Sequence, residues 1–261
     1  MTKFPANIEF HGSVTTTMTV AREKMATMLA GPDAEKFKME PFGIVGESQS
    51  SGLSTGGGKW ASPIGNMYFT MGIPQNNPDV LNPDVTPVLP LVCGLACRAA
   101  VLELLPGVNP EDVATKWPSS IIYKGQNIGA TMVESEGDFY LAGMGMNVNV
   151  ASAVSPDGRP STTINQISYD VGAKPITPRM LAEKVWEKFL GYISGDVATR
   201  QRVVAEFDKA MDRRVKLHRR TPAGGRDPEE LTVVSLNEWG HITVSRARDG
   251  KEEDICAEYL L

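Results

Sequence analysis

The chain has 261 residues, of which 41% are hydrophobic and 22% are charged, and its formal net charge is −5. This composition is that of an ordinary globular protein with a sizeable core, so it excludes a chain that is disordered throughout. The negative net charge argues against a general nucleic-acid binder, which is usually basic.

Cysteine usage and the N-terminus indicate the compartment. The three cysteines, Cys93, Cys97 and Cys256, show no framework spacing, which is typical of a reducing environment. Cys93 and Cys97 are interpreted as two core thiols on one helix face, and the three scattered histidines predict no metal site. The N-terminus lacks a long apolar stretch, so neither a signal peptide nor a membrane span is expected, and the expected location is the cytoplasm.

Hydrophobic periodicity predicts five elements in the first hundred residues. Strands are predicted at 8–14, 42–46 and 66–73, and helices at 18–30 and from about 88 to 104. The second helix is apolar on both sides, which predicts that it is buried all round. Residues 74–90 hold five prolines and are predicted to form an irregular surface connection.

The predicted secondary structure of the remaining chain changes near residue 213, after which only strands are predicted. Three or four strands are predicted between 113 and 150, with tight turns near 124–125 and 136–137. Residues 151–177 are polar and rich in Pro and Gly, and they predict a long loop. Two helices are predicted next, at 179–193 and 197–212, followed by short strands at 215–217, 231–236, 242–246 and 254–260. An α+β domain over 1–212 and a small β-barrel over 213–261 are therefore expected.

A glycine-rich loop occupies residues 49–60 and reads QSSGLSTGGGKW. Glycines in such a run let backbone amides approach an anionic ligand closely. A Walker loop is excluded, because Lys59 is followed by Trp60 and Leu53 stands where the first glycine is required. A dinucleotide-binding fingerprint is disfavoured, because the loop leads into a predicted strand rather than a helix.

Three further segments follow this loop in a fixed order: 116–120, KWPSS; 127–134, NIGATMVE; and 143–149, GMGMNVN. Together the four segments resemble the catalytic domain of biotin protein ligases. In that family they read GRGxGGxxW, KWPND, K-hydrophobic-GG with a trailing VE, and G-hydrophobic-N. The resemblance extends to residues 215–217, which lie where the family's C-terminal barrel begins, and to residues 235–250, which are similar to the family's GID-x-x-G-x-L-x-V followed by DG.

The resemblance implies a fold and a reaction. The expected fold is α+β, a class II synthetase-like biotin/lipoate ligase domain with a mixed sheet and helices, followed by a small SH3-like β-barrel. The implied reaction joins biotin to ATP, with Mg²⁺, as biotinyl-AMP, and then transfers biotin to a lysine of the biotin carboxyl carrier domain of a carboxylase. Neither nucleic acid nor a membrane is an expected partner.

The resemblance also assigns roles by position. The ligand's ureido ring and carboxyl group are expected to meet Thr16, Thr17, Gln49, Gly52, Gly129 and Ala130. The nucleotide is expected to meet Gly57, Lys59, Trp60, Lys116, Asn127 and Asn147. No metal-ligating residue and no catalytic residue is assigned.

The chain departs from the family at charged positions. Leu53 replaces the loop arginine, Ser119 and Ser120 replace Asn-Asp, and Asn127 replaces the active-site lysine. Lost together, these contacts can silence adenylation. Two hypotheses therefore stay open: a working ligase, in which Lys124 substitutes for the lysine across a predicted turn, and a catalytically silent relative that binds a biotin-like ligand or a protein partner. An acyltransferase of the lipoate/octanoate group is less favoured, because it would want lysine at position 127.

Overall fold

A computed structural model describes residues 7–54, 58–151, 158–221 and 225–256 of the chain. Its centre is a seven-stranded mixed sheet with the strand order β1-β2-β3-β7-β6-β5-β4. Only β1 and β2 pair in parallel, and the other neighbours in this sheet are antiparallel. In chain order the strands are β1 (Ile8–Val14), β2 (Phe42–Gln49), β3 (Met67–Pro74), β4 (Val113–Lys116), β5 (Ser120–Tyr123), β6 (Gln126–Glu136) and β7 (Phe139–Met146).

Helices cover both faces of this sheet. A 3₁₀ helix, Pro83–Val88, leads directly into the third α-helix. The α-helices are α1 (Thr17–Leu29), α2 (Ala34–Phe37), α3 (Leu89–Leu104), α4 (Ile164–Asp170), α5 (Pro178–Ile193) and α6 (Arg200–Ala210). Their order and the strand order confirm the mixed sheet with helices that the sequence predicts.

Side chains alternate along each strand, so the two faces of the sheet have separate cores. On β7, Met144 and Met146 point into the larger core, which α3, α5 and α6 cover. Leu141 points to the other face and packs with Met25 of α1 and Phe42 of β2 in a smaller cluster. The face beneath α1 is the one that carries the candidate site.

Helix α3 is the central helix of the larger core. Cys93 and Cys97 are fully buried on it, which confirms their interpretation as core thiols. In the described part of the chain, one helical stretch, Pro83–Leu104, has the length and composition of a membrane span, but 67% of its apolar window is buried inside the molecule. That burial is the environment of a core helix.

Two connections contain more structure than the sequence predicts. Residues 74–90 are not an irregular surface segment throughout, because Val85 and Val88 of the 3₁₀ helix are buried against the core. The loop predicted at 151–177 contains α4, whose first turn is capped by the Thr163 hydroxyl and whose Ile164 and Ile167 are buried. Both helices are too short for their hydrophobic periodicity to show in the sequence.

The C-terminal strands form a second sheet of four antiparallel strands in the order β11-β10-β9-β8. Its apolar side chains, Leu231, Ile242 and Val244 among them, belong to the same core as α3. The described strands form an open sheet, so the SH3-like barrel stays a prediction, as does the division of the chain at residue 213. The strands are β8 (Lys216–Leu217), β9 (Leu231–Leu236), β10 (Ile242–Arg246) and β11 (Glu252–Ile255). The predicted last strand extends to residues 257–260, which lie outside the described part.

Candidate functional site

A cavity of about 250 Å³ lies on the α1 face of the central sheet. Its walls come from the first turns of α1, the loop that follows β2, and strands β3, β6 and β7. Glycines make the room: a Cβ on Gly143 would lie 3.3 Å from Met18 Sδ and from Met132 Cγ, and one on Gly145 would lie 3.0 Å from Trp60 Nε1. Side chains at these two positions of β7 would therefore fill the cavity from its floor.

The N-terminus of α1 opens onto the cavity. Thr16 has extended backbone angles, and its hydroxyl accepts a hydrogen bond from Thr19 N at 2.9 Å, which caps the helix. The cap fixes where the helix begins, and so it fixes the position of Thr17 one residue later. Thr16 and Thr17 both line the cavity, as the sequence places them.

A chain of hydrogen bonds connects α1, β3 and the end of β2. Thr70 Oγ1 donates to Thr17 Oγ1 at 2.8 Å, and Thr17 donates to Gln49 Oε1 through its backbone N at 2.9 Å and its hydroxyl at 3.3 Å. Gln49 Nε2 donates to Ser62 Oγ at 2.9 Å. Because both ends of the amide have partners, the orientation of Gln49 is fixed before any ligand arrives.

Aromatic side chains form the wall next to the glycine-rich loop. The Trp60 indole lies over Gly145, and Gly145 pairs with Ala130 on β6. The Tyr68 hydroxyl donates to Pro63 O at 2.8 Å, and burial raises the pKa of this phenol to about 12. Tyr68 therefore stays neutral, and this part of the cavity offers apolar surface and neutral polar groups.

An ion-pair cluster lies on the cavity wall next to Glu134, and the sequence interpretation did not include it among the site residues. Arg22 of α1 donates through Nη2 to Glu134 and through Nε to Glu136 Oε2, the latter at 2.8 Å. The hydrogen bond to Glu136 and the charge of Glu134 raise the pKa of Arg22 above its ordinary value. Arg22 follows Met18 by four residues, so its place on the same helix face could have been read from the spacing.

Two predicted glycines act by allowing close packing. A Cβ on Gly52 would lie 2.5 Å from both Ser62 Oγ and Trp60 O. A Cβ on Gly129 would lie 2.2 Å from Met146 Sδ. Neither residue lines the cavity, although Ala130, next to Gly129, does. Gly57 lies outside the described residues.

Three residues predicted to contact the nucleotide do not line the cavity. Asn127 is 5% exposed, and its Oδ1 accepts from Gly129 N at 3.1 Å. Asn147 is also buried and donates through Nδ2 to Thr162 O at 3.4 Å. Both residues hold the segment before α4 against β6, since Thr162 N also donates to Asn127 O at 3.1 Å. Lys116 ends β4, where it pairs with Ser120.

The two other predicted cations lie apart from the cavity walls. Lys59 is exposed on the glycine-rich loop, where its backbone pairs with that of Leu53. Lys124 lies in the β5–β6 turn, with its Nζ 3.4 Å from Asp112 Oδ2 and 5.2 Å from the centre of the Tyr123 ring. Neither lysine is among the residues of the cavity. The suggestion that Lys124 replaces the missing lysine therefore stays a prediction, and in this structure Lys124 is paired with Asp112 instead.

The described residues contain no cluster of three or more His, Cys, Asp or Glu side chains that could hold a metal ion. The resemblance expects a carboxylate at position 120, which is a serine here. Ser120 pairs with Ala130, so this position lies next to the cavity wall. Glu134, which accepts from Arg22, is the one carboxylate on the cavity wall among the described residues.

Solved structures of known proteins match this chain over nearly its whole length, whereas no protein-family model matches it. The biotin protein ligase from Leishmania major in complex with biotin is 45% identical, with a TM-score of 0.75, and the match covers 97% of this chain and 99% of that chain. The structure of the same ligase in complex with biotinyl-5-AMP is 44% identical, with a TM-score of 0.72, over 97% and 100% of the two chains.

A more distant match shows the fold alone. The biotin protein ligase from Aquifex aeolicus in complex with biotin and ATP is 18% identical, with a TM-score of 0.67, and the match covers 98% of each chain. The fold of this chain is thus the α+β fold that these structures share. On the identity to the Leishmania protein, the chain belongs to the biotin protein ligase family.

Proposed function

We propose that the protein is an ATP-dependent biotin–protein ligase. The observation that carries the proposal is the 44% identity, over 97% of this chain, to a ligase whose structure contains biotinyl-5-AMP. We infer that this chain keeps the ligand class of that relative. The cavity supports the proposal because its walls suit a small ligand with a neutral polar head.

The cavity provides neutral hydrogen-bonding groups beside apolar surface. Thr16, Thr17 and Gln49 contribute hydroxyl and amide groups, while Met132 and Trp60 contribute apolar contacts. A urea group needs such neutral donors and acceptors, because burial without hydrogen bonds would cost binding energy. These residues are therefore assigned to the ureido ring of biotin.

The proposed reaction has two balanced steps. A carboxylate oxygen of biotin attacks the α-phosphorus of ATP, the bond to the β-phosphate oxygen breaks, and pyrophosphate leaves. The amine of an acceptor lysine then attacks the acyl carbon of biotinyl-AMP, AMP leaves, and the amine loses a proton. Backbone groups of the glycine-rich loop and the side chains of Lys59 and Trp60 are the proposed neighbours of the nucleotide.

The first step is tested by incubating the protein with biotin, ATP and Mg²⁺ and measuring biotinyl-AMP by mass spectrometry. We expect biotinyl-AMP and an equal amount of pyrophosphate, neither of which should form without biotin. Gln49→Ala should reduce the yield at limiting biotin, because the Thr17 backbone N–H and the ring of the ligand both lose a partner. If biotin binds but no biotinyl-AMP forms, the adenylation step is rejected and only the proposed binding of biotin is supported.

A second candidate function is binding without adenylation. The observation in its favour is that Arg22 is the one cationic side chain on the cavity wall among the described residues, and two carboxylates already accept from it. A carboxylate and a polyphosphate repel each other unless positive charge offsets them. The biotinyl-AMP measurement separates the two functions directly.

The remaining expectations are also proposals. We propose a carrier domain of a biotin-dependent carboxylase as the acceptor and Mg²⁺ as an ion that arrives with ATP. A cytoplasmic location, a domain boundary at residue 213 and a C-terminal SH3-like barrel stay predictions from the sequence. The nucleotide roles of Lys116, Asn127 and Asn147 also stay predictions, and these three residues are not among those that line the cavity.

A further inference from the structure

The cavity has two chemically different ends. At one end Trp60 lies over Gly145, which pairs with Ala130 of β6. At the other end Arg22 contacts Glu134, four residues further along β6. At roughly 3.3 Å per residue, the two ends are about 13 Å apart. A ligand with a distinct head and tail can therefore meet a different environment at each end.

The charge of Arg22 is fully compensated. Its guanidinium carries one positive charge, and Glu134 and Glu136 together carry two negative charges, so the cluster has a net charge of about −1 at neutral pH. Such a cluster does not attract the carboxylate of a ligand. It favours a ligand that presents its neutral head here and its anionic tail to the glycine-rich loop.

Arg22 still offers hydrogen-bond donors. A guanidinium has about five N–H groups. Among the described residues, two of them have protein acceptors: Nε donates to Glu136 and Nη2 to Glu134. Because Arg22 lines the cavity, the remaining N–H groups are available to an acceptor atom of a ligand. A charge-compensated donor of this kind suits a neutral carbonyl oxygen.

We propose that Arg22 is a specificity-determining residue that donates to the ring carbonyl of the ligand and so fixes which end of the ligand faces the loop. Glu134 and Glu136 position the guanidinium and cancel its charge. The inference rests on the proposed function and refines it: the urea carbonyl points toward Arg22, while the rest of the ring faces Thr16, Thr17 and Gln49.

The test compares three ligands by calorimetry at neutral pH, with wild type and Arg22→Met. Biotin and desthiobiotin both have the ring carbonyl. In 2-iminobiotin a protonated imine replaces it, which donates hydrogen bonds and accepts none. Arg22→Met keeps a similar apolar stem, and the Arg22 side chain is 39% exposed, so the variant is expected to fold.

We expect Arg22→Met to bind biotin and desthiobiotin about 10- to 100-fold more weakly, the scale of one charge-assisted hydrogen bond. Binding of 2-iminobiotin should not weaken, because the variant removes a repulsive donor. The affinity ratio of biotin to 2-iminobiotin should therefore fall at least about tenfold, while the ratio of biotin to desthiobiotin stays constant.

The control is Arg179→Met, which removes an arginine paired with Glu183 on α5 that does not line the cavity. All three affinities should be unchanged in that variant. An equal loss for all three ligands in Arg22→Met would mean that Arg22 is only a wall of the cavity, and would overturn the inference. Absence of biotin binding by the wild type would instead overturn the proposed function, and this inference with it.

Discussion

The hydroxyl group of Thr17 connects helix α1 to two strands of the sheet. It accepts from Thr70 and donates to Gln49, and both it and Thr70 are buried. Removing one member of a buried chain of hydrogen bonds leaves a neighbouring polar group without a partner. The free energy of unfolding then falls by more than the net contribution of the lost bond.

We therefore predict that Thr17→Val lowers the free energy of unfolding by about 1–3 kcal/mol and weakens biotin binding. The measurement is urea denaturation, together with calorimetry. In a Thr70→Val background the same substitution should cost less, because Thr70 no longer needs an acceptor. Equal costs in the two backgrounds would show that the hydroxyl groups are not coupled.

Leu53 and Asn127 both replace charged residues of the family, but their surroundings differ. Leu53 lines the cavity and is 59% exposed, so an arginine fits there without burial. Asn127 is buried and bonded to Gly129, so a lysine there would be a buried charge without a partner.

We predict that Leu53→Arg raises the initial rate of pyrophosphate release about tenfold or more, because it adds positive charge where carboxylate and phosphate meet. Leu53→Gln is the matched neutral control and should have little effect. Asn127→Lys should instead lower the free energy of unfolding by about 3 kcal/mol or more. Identical rates for the Arg and Gln variants would exclude missing charge as the cause of slow adenylation.

At the scale of elements, hydrophobic periodicity predicts the longer helices and strands. Helices α3 and α5 and strands β1, β3, β9 and β10 lie within a few residues of their predicted positions. The 3₁₀ helix and α4 were missed because one or two turns carry too little periodicity. Their positions depend on tertiary packing, as in the burial of Val85 and Ile167, which no local pattern contains.

Asp212 lies between α6 and β8 and is hydrogen-bonded to β4 and to Arg214. Its carboxylate accepts from Arg214 N at 3.1 Å and from Arg214 Nε at 2.8 Å, and its backbone N donates to Thr115 O at 2.8 Å. Burial opposes ionisation of this carboxyl, but the hydrogen bonds from Arg214 and the charge of Arg159 outweigh it and lower its pKa.

A lowered pKa in the folded state means that the ionised carboxylate stabilises the fold above the pKa of the unfolded chain, about 3.9. This contribution is lost as the pH falls through the lower folded pKa. We predict that Asp212→Asn is less stable than wild type at pH 7 and that the difference disappears in strong acid. Urea denaturation from about pH 7 to about pH 2 measures it; a constant difference over this range would contradict the assignment.

At the scale of the whole molecule, Trp117 connects the C-terminal sheet to the rest of the fold. This side chain is 7% exposed, and its Nε1 donates to Gly240 O at 2.9 Å. Gly240 has a φ of 77°, and a Cβ there would lie 2.9 Å from Leu91 Cδ1, so the β9–β10 turn sits directly on α3. The Trp in the KWP segment thus has a structural role in this chain.

We predict that Trp117→Phe lowers the free energy of unfolding by about 1–3 kcal/mol, because the Gly240 carbonyl loses its buried donor. Unfolding should remain a single transition, since the C-terminal strands share the core of α3. The control is Trp239→Phe in the same turn. Trp239 is 48% exposed, so this substitution should lower the free energy of unfolding by less. Two separate transitions would show that the sheet unfolds on its own.

The candidate site was only partly predictable from sequence. Thr16, Thr17, Gln49, Trp60 and Ala130 lie on the cavity wall, because the family segments keep their order and their strands keep their register. Arg22 was missed because its spacing from Met18 gives the helix face but does not show that this face lies opposite Glu134. The nucleotide roles of Asn127 and Asn147 stay predictions. Their bonds to Thr162 could not be predicted, because Thr162 lies in the segment before α4, which the sequence predicts as loop.

The most direct test of the account is transfer of biotin to an acceptor. Purified biotin carboxyl carrier domain is incubated with the protein, biotin, ATP and Mg²⁺, and the carrier is analysed by intact-mass spectrometry. We predict a carrier with one added biotin on a lysine, formed only when ATP and the protein are present. A carrier that stays unmodified while calorimetry shows biotin bound to the protein would contradict it.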